Sequence, residues 1–141
     1  MKKLLFFSFI ICLGLSCKKN TDSSCTTSTA SISGPYKITA MTYKANASAA
    51  ETDYLNTIFP DACQRDDIYT FNTNGSYTIA DVGSVCSPPG DDIGTWALSG
   101  NTMTIDGNPA TVASFDCKTL VFTINDTQVA GDQLKFTLTR Q

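Results

Sequence analysis

The chain has 141 residues, with 10 basic and 13 acidic side chains and no histidine. This length is sufficient for one domain, and the acidic balance argues against nucleic-acid binding, which requires basic surfaces. Without histidine, the commonest general base, the Ser-His and Cys-His nucleophile pairs and every His-containing metal site are excluded. We therefore expect a protein that is not an enzyme and needs no cofactor.

The N-terminal segment has the features of an export signal. Met1-Lys2-Lys3 precedes an apolar stretch, Leu4–Leu15, that is too short to span a bilayer. The sequence Gly14-Leu15-Ser16-Cys17 resembles a lipobox, the cleavage site of bacterial lipoprotein signal peptides. The resemblance implies that residues 1–16 are removed, that Cys17 carries the acyl chains, and that the protein is held at the outer membrane of the cell envelope. The alternative is an ordinary signal peptide followed by a chance cysteine.

Residues 17–33 are predicted to form a Ser/Thr-rich tether between the lipid and a domain that spans residues 34–141. Ile32 is the only large apolar residue between Lys18 and Ser33. The sequence therefore predicts that this segment is a coil that builds no core.

The domain is predicted to be all-β. Apolar and polar residues alternate over short segments separated by turn residues, as in a half-buried strand such as Tyr36–Ala40, where Tyr36, Ile38 and Ala40 would share one face. The other predicted strands are 68–71, 76–79, 93–98, 102–105, 110–115, 120–124 and 134–138. A meander of eight strands closes most economically as an up-and-down barrel, because closure removes both edges of the sheet.

One segment of the domain, Asn46–Asp61, differs from the strand pattern. It contains helix-forming residues, Ser48 with Glu51 three residues later is typical of a helix N-terminus, and Pro60 would end the helix. We expect one short helix here, covering one mouth of the barrel.

Four cysteines remain after the signal peptide and Cys17 are set aside, and an exported chain with an even number favours disulfides. In an antiparallel hairpin, the residue numbers of two facing residues always add up to the same value. The value set by the turn Asn72–Gly75 places Cys63 and Cys86 nearly opposite each other. We predict a Cys63–Cys86 disulfide. Cys25 and Cys117 are then the two cysteines left, and they would either form a second disulfide or remain two free thiols.

Three runs, Asp67–Phe71, Asn74–Tyr77 and Gly94–Asn101, resemble the lipocalin-like domain of small bacterial lipoproteins, as do the cysteines on either side of the hairpin. The resemblance covers residues 34–141. It implies a calycin-type barrel and, by analogy, the binding of a small apolar or amphipathic ligand. In one departure, Gly34-Pro35-Tyr36 has Tyr where the lipocalin Gly-x-Trp motif has Trp. The domain is also short for a lipocalin that carries a ligand.

The aromatic residues expected inside the barrel are the candidates for lining a ligand cavity. They are Tyr36, Phe71, Tyr77, Trp96, Phe122 and Phe136. Eight strands enclose a space that side chains can fill or that can hold one small ligand. A continuous cavity above about 300 Å³ would favour ligand binding. A filled barrel would favour a protein-interaction or structural module whose contact surface is the loop Val82–Asp92.

Two acidic pairs, Asp66-Asp67 and Asp91-Asp92, are the remaining candidates for chemistry. Carboxylates from neighbouring loops suit Ca²⁺, but acidic residues are also common in solvated turns. The four mature cysteines are too scattered in sequence for a zinc site. We therefore expect no metal.

Overall fold

A computed structural model describes residues 25–141, so the predicted signal peptide, the lipidation site Cys17 and the first part of the predicted tether lie outside the described residues. The helical elements are α1 (Thr29–Ile32), α2 (Leu55–Ile58) and a 3₁₀ turn (Ala62–Gln64). The strands are β1 (Gly34–Lys44), β2 (Thr52–Asp53), β3 (Ile68–Phe71), β4 (Ser76–Ala80), β5 (Asp92–Ser99), β6 (Thr102–Ile105), β7 (Asn108–Phe115), β8 (Thr119–Asn125) and β9 (Gln133–Arg140). No helix among these elements is long and apolar enough to cross a membrane.

The strands form an antiparallel sheet in which each strand from β3 to β8 pairs with the next one in sequence, and β1 pairs with both β3 and β9. The sheet closes where Tyr36 faces Arg140 and Lys44 faces Gln133. The predicted eight-stranded up-and-down barrel is therefore confirmed. The ninth strand, β2, is a two-residue addition that pairs with the end of β1.

The hairpin of β3 and β4 has the predicted turn. Phe71 faces Tyr77, and the Asn72 N–H donates to the Ser76 carbonyl at 2.8 Å. Gly75 has a φ of 86°, which glycine adopts without the strain that a side chain would cause. Beyond the open end of the hairpin, Cys63 and Cys86 form the predicted disulfide, with their Cα atoms 5.3 Å apart.

The residues directly before β1, from Ser28 to Ser33, do not form the coil that their composition predicted. Ser28 caps α1 through its side chain, and Ile32 is completely buried in the core of the barrel. Cys25 forms a disulfide with Cys117, which lies in the turn between β7 and β8. Of the two alternatives that the sequence left open for these cysteines, the disulfide is the one present. The prediction failed because a lone apolar residue builds no core by itself, whereas Ile32 completes a core that the barrel already provides.

Arg140 and Tyr36 join α1 to the barrel at this end. The Arg140 guanidinium lies 4.9 Å from the centre of the Tyr36 ring and donates to the Tyr36 hydroxyl and to the Ser33 carbonyl. The Tyr36 hydroxyl donates to the Ile32 carbonyl at 2.8 Å. Tyr in place of Trp thus supplies a hydroxyl that connects the helix to Arg140. We call this the closed end of the barrel; the strand directions place the loops 81–91 and 126–132 at the other end, the mouth.

The helix predicted to begin at Ser48 is wrong in its position and length. Glu51 hydrogen-bonds Thr42 and forms an ion pair with Lys135 instead of capping a helix, and the two residues that follow it form β2. Tyr54 stacks on Tyr43 at 5.1 Å between ring centres. The helix is reduced to the single turn α2, whose first residue Leu55 packs against the core at the mouth together with Phe59, the residue that follows the turn.

Strand β1 also departs from the predicted alternation. A bulge between Ile38 and Ala40 shifts the pairing with β9, so that Ile38 faces Leu138 but Met41, not Ala40, faces Phe136. Directly paired residues point to the same side of a sheet. The bulge therefore replaces Ala40 by the larger Met41 on the inner face.

Candidate functional site

An apolar cavity of about 160 Å³ lies inside the barrel. It is lined by inward-facing side chains of β1, β3, β4, β6, β8 and β9 and by one residue that follows α2: Ile38, Phe59, Tyr69, Phe71, Tyr77, Ile105, Phe122, Ile124, Phe136 and Leu138. The volume is below the roughly 300 Å³ of pockets for drug-sized ligands. It is close to that of an engineered apolar cavity of about 150 Å³ that admits benzene. The space therefore suits a ligand the size of one ring.

Four of the six predicted lining residues border this cavity: Phe71, Tyr77, Phe122 and Phe136. Phe122 and Phe136 stack in parallel with their ring centres 4.9 Å apart. The other two, Tyr36 and Trp96, are buried nearer the closed end. There Trp96 makes a T-shaped contact with Phe71 at 5.2 Å between ring centres, and the Trp96 indole N–H donates to the Asn72 carbonyl at 2.9 Å.

Two aromatic lining residues, Phe59 and Tyr69, were missing from the predicted set. Tyr69 precedes Phe71 by two positions in β3, so the alternation of the strand itself points it to the same face. Phe59 belongs to the segment expected beside the mouth, but its inward orientation depends on the irregular chain between α2 and the 3₁₀ turn. No periodic pattern in the sequence predicts that orientation.

A second cavity, of about 210 Å³, adjoins the first at the mouth, because Phe59 and Tyr69 line both. Its remaining lining residues are Gln64, Asp67, Ile79, Cys86, Pro88 and Gly90. The Cys63–Cys86 disulfide holds the loop with Pro88 and Gly90 beside the 3₁₀ turn. The two cavities lie side by side: an apolar one inside the barrel and a more polar one, the vestibule, at the mouth.

Asp67 is the charged residue of this vestibule, and only 7 % of its surface is exposed. Its Oδ1 atom has no hydrogen-bond partner among residues 25–141. Burial raises the pKa of Asp67, and the nearby carboxylates of Asp81, Asp66 and Asp91 raise that pKa further. Burial, with a smaller contribution from the charge of Asp67, raises the pKa of Tyr69 to about 12.

The other acidic residues at this end are engaged by the loop backbone. Asp81 accepts from the Gly90 N–H at 2.7 Å and from the Cys86 N–H, and Asp91 accepts from the Asp81 N–H at 2.9 Å. Asp66 accepts from the Ser84 N–H through Oδ2, while its Oδ1 has no partner in the described chain. Within residues 25–141, no three acidic or cysteine side chains are arranged to hold a metal ion.

The sequence comparison agrees with this geometry. The profile of the lipocalin-like domain family matches residues 32–136, which is most of the chain. The chain belongs to the lipocalin-like domain family. A search of curated proteins gives no match. Members of this family are generally non-catalytic binding proteins, and the lipocalin-like barrel suggests a ligand-binding fold.

The hydroxyl group of Tyr77 does not take part in the cavity of the lipocalin-like domain. It donates to Asp106, which also accepts from the Thr95 N–H at 2.8 Å. Burial first, and then the hydrogen bond and charge of Asp106, raise the pKa of Tyr77. A Cβ atom at Gly94 would lie 2.4 Å from the Tyr77 ring, so the missing side chain makes room for it. Tyr77 therefore offers the cavity an apolar ring.

A polar groove of about 430 Å³ lies at the mouth of the barrel, between the loops that follow β1 and β8. The charged residue buried in it is Asp132, which accepts backbone N–H groups from Thr127, Gln128 and Val129 at 2.6 to 3.0 Å. Burial by itself would raise the pKa of Asp132, but these backbone donors outweigh it and hold the pKa at about 2. Asp132 is thus a structural carboxylate that orders the loop before β9.

Proposed function

We propose that this lipocalin-like domain binds a small apolar ligand, about the size of one aromatic ring, inside the barrel. The observation that supports the proposal is the apolar cavity of about 160 Å³ between the stacked Phe122–Phe136 pair and the mouth residue Phe59. Protein interiors rarely leave empty spaces much larger than a water molecule. Burial of a ring in an existing apolar space gains contacts and removes apolar surface from water.

The test is a titration with toluene, followed by the NMR shifts of backbone amides next to the cavity. We expect saturable shifts with a dissociation constant of about 10 μM to 1 mM, in keeping with the small number of ligand atoms. Ile124→Phe should fill part of the cavity and weaken binding at least tenfold. Thr123→Phe is the matched control, because it adds a phenyl ring on the opposite face of the same strand and should leave binding intact.

Two results would refute the proposal. One is the absence of saturable shifts in the wild-type protein. The other is equal toluene affinity of the Ile124→Phe variant and the wild type, since the ligand would then lie elsewhere. Far-UV circular dichroism of both variants shows whether the barrel is retained.

A second candidate function, a protein-interaction module, is favoured by apolar side chains exposed near the loop 82–92. Val85 is 61 % exposed and Ile93 is 70 % exposed. A photo-crosslinking residue at position 85 should capture a specific envelope protein, and Ile93→Ser should prevent the capture without changing toluene affinity. Absence of a specific adduct, or one that Ile93→Ser leaves unchanged, counts against this function.

We also propose that the protein is anchored by lipid at Cys17 to the outer membrane of the cell envelope. The support is the sequence Gly14-Leu15-Ser16-Cys17 after a basic and apolar N-terminal segment. Cys17→Ala should move the protein from the membrane fraction to the soluble fraction. Cys12→Ala, within the apolar stretch, is the control and should stay with the membrane. Retention of Cys17→Ala in the membrane at normal expression would contradict the anchor.

A further inference from the structure

Asp67 is a buried acidic residue at the mouth of the barrel. It lines the outer cavity beside Phe59 and Tyr69, which also line the apolar inner one. It is more than nine-tenths buried, and its Oδ1 atom accepts no hydrogen bond from residues 25–141. An unpartnered buried carboxyl group is costly, so it calls for a donor that comes from outside the chain.

The surroundings of Asp67 are negative. A Cβ atom at Gly90 would lie 3.7 Å from Oδ2 of both Asp67 and Asp81, so these two carboxyl groups approach each other across a residue without a side chain. Asp66 and Asp91 add further negative charge. The nearest basic residue in sequence, Arg65, donates instead to the Phe59 and Pro60 carbonyls at 2.7 and 2.8 Å. Such a position favours a donor that is positively charged.

We propose that Asp67 binds the protonated amino group of a ligand whose apolar part fills the barrel cavity. The ligand class is then a small aryl-alkyl amine: one ring for the inner cavity, a short linker past Phe59 and Tyr69, and an ammonium group at Asp67. The inference rests on the proposed apolar ligand and adds the chemistry of its polar end. An ammonium group can donate one of its three N–H bonds to the Oδ1 atom of Asp67, which has no partner among residues 25–141. The rings of Phe59 and Tyr69, which line the same cavity, also favour a cation.

The test uses three probes of nearly equal shape that differ in charge: 2-phenylethylamine, 2-phenylethanol and phenylacetate. They are titrated at pH 7.5 into the wild-type protein and followed by amide NMR shifts. We expect the amine to bind about tenfold or more tightly than the alcohol, as for a charge-assisted hydrogen bond in a shielded site. Phenylacetate should bind more weakly than the alcohol because of repulsion by Asp67.

Asp67→Asn should lower the affinity for the amine to about that for the alcohol and leave the alcohol affinity within about twofold. Asp126→Asn is the matched control, since it removes the same charge from another mouth loop. Its Oδ1 accepts from the Gly131 N–H, and its φ of 55° suits Asn. It should leave the ratio of amine to alcohol affinity unchanged. Gly90→Ala, whose Cβ atom would enter the outer cavity at the van der Waals distance of 3.7 Å from Oδ2 of Asp67, should weaken amine binding more than alcohol binding.

The outcomes separate this inference from the proposed function. Equal affinities for amine and alcohol in the wild type would overturn the role of Asp67 while the apolar cavity stands. An unchanged affinity ratio in Asp67→Asn, or an equal loss in Asp126→Asn, would overturn it as well. If toluene binds the wild type but the amine does not, only the role of Asp67 is refuted. If neither toluene nor the amine nor the alcohol binds, both proposals are refuted.

Discussion

The clearest test of the fold concerns the helical turn before the barrel, because its sequence predicted a coil. Ile32 lies at the end of α1, is completely buried, and packs in the same core as Tyr36 and Trp96. If this arrangement holds in solution, Ile32→Ala removes core contacts. If α1 is detached, the same substitution changes an exposed residue and has little effect.

The expected magnitude follows from the complete burial of Ile32. The substitution removes three carbon atoms, which at about 0.8 kcal/mol per methylene amounts to about 2.4 kcal/mol. The cavity left behind raises the loss in unfolding free energy to roughly 3–4 kcal/mol. At a urea dependence of about 1.5–2 kcal/mol per M, the midpoint should fall by about 2 M.

Urea unfolding followed by the fluorescence of Trp96, the single tryptophan of the chain, measures this change. Ile93→Ala is the control, since Ile93 is largely exposed and its loss should stay within about 0.5 kcal/mol. If Ile32→Ala shifts the midpoint no more than Ile93→Ala does, α1 does not contribute to the core and the argument is refuted.

Three further predictions concern the core, the disulfides and the mouth. Trp96→Ala should lower the free energy of unfolding by roughly 3–5 kcal/mol, and Trp96→Phe, which keeps an aromatic ring, should cost less in thermal unfolding. Equal losses would mean that the Trp96 ring contributes no burial. Cys25→Ser should lower the free energy of unfolding by roughly 4–5 kcal/mol and Cys63→Ser by roughly 3 kcal/mol in the chain-entropy model, because the first disulfide spans 92 residues and the second 23. A larger loss for Cys63→Ser than for Cys25→Ser in urea unfolding would contradict this. Because the pKa of Asp132 is lowered to about 2, its stabilisation is present above about pH 4 and is lost as the pH falls towards 2. Asp132→Asn should therefore reduce the loss of stability between pH 4 and 2, and an unchanged acid slope in urea titrations would contradict the role of this carboxylate.

The parts of the fold that could be predicted depend on local patterns. The strand alternation in 68–71 and 120–124 is set by side chains two positions apart, and the turn at Gly75 is set by a few adjacent residues. The disulfide Cys63–Cys86 followed from the pairing register of that one hairpin. Because each of these features involves neighbours along the chain or across one turn, the sequence contains the information directly.

The parts that could not be predicted depend on distant contacts. The stretch around Ser48 has helical propensity, but the pairing of β2 with β1 and the ion pair of Glu51 with Lys135 override it. The burial of Asp67 has a similar origin. Beside Asp66 it resembles a solvated turn acid, and it becomes buried through the loop that carries Gly90. The strand alternation therefore predicted Phe71, Tyr77, Phe122 and Phe136 as lining residues, and it also indicates Tyr69, which the predicted set omitted. The positions of Phe59 and Asp67 depend on irregular segments, and no local pattern indicates them.

The Cys25–Cys117 disulfide also determines how the barrel is presented to its surroundings. It fixes the incoming chain to the turn between β7 and β8, at the closed end. Eight residues lead from Cys17 to Cys25, and eight residues reach at most roughly 28 Å. If Cys17 carries the proposed lipid, the closed end would be the part of the barrel nearest to the bilayer, and the mouth would open away from it. The cavity would then exchange its ligand with the aqueous compartment and not with the lipid phase.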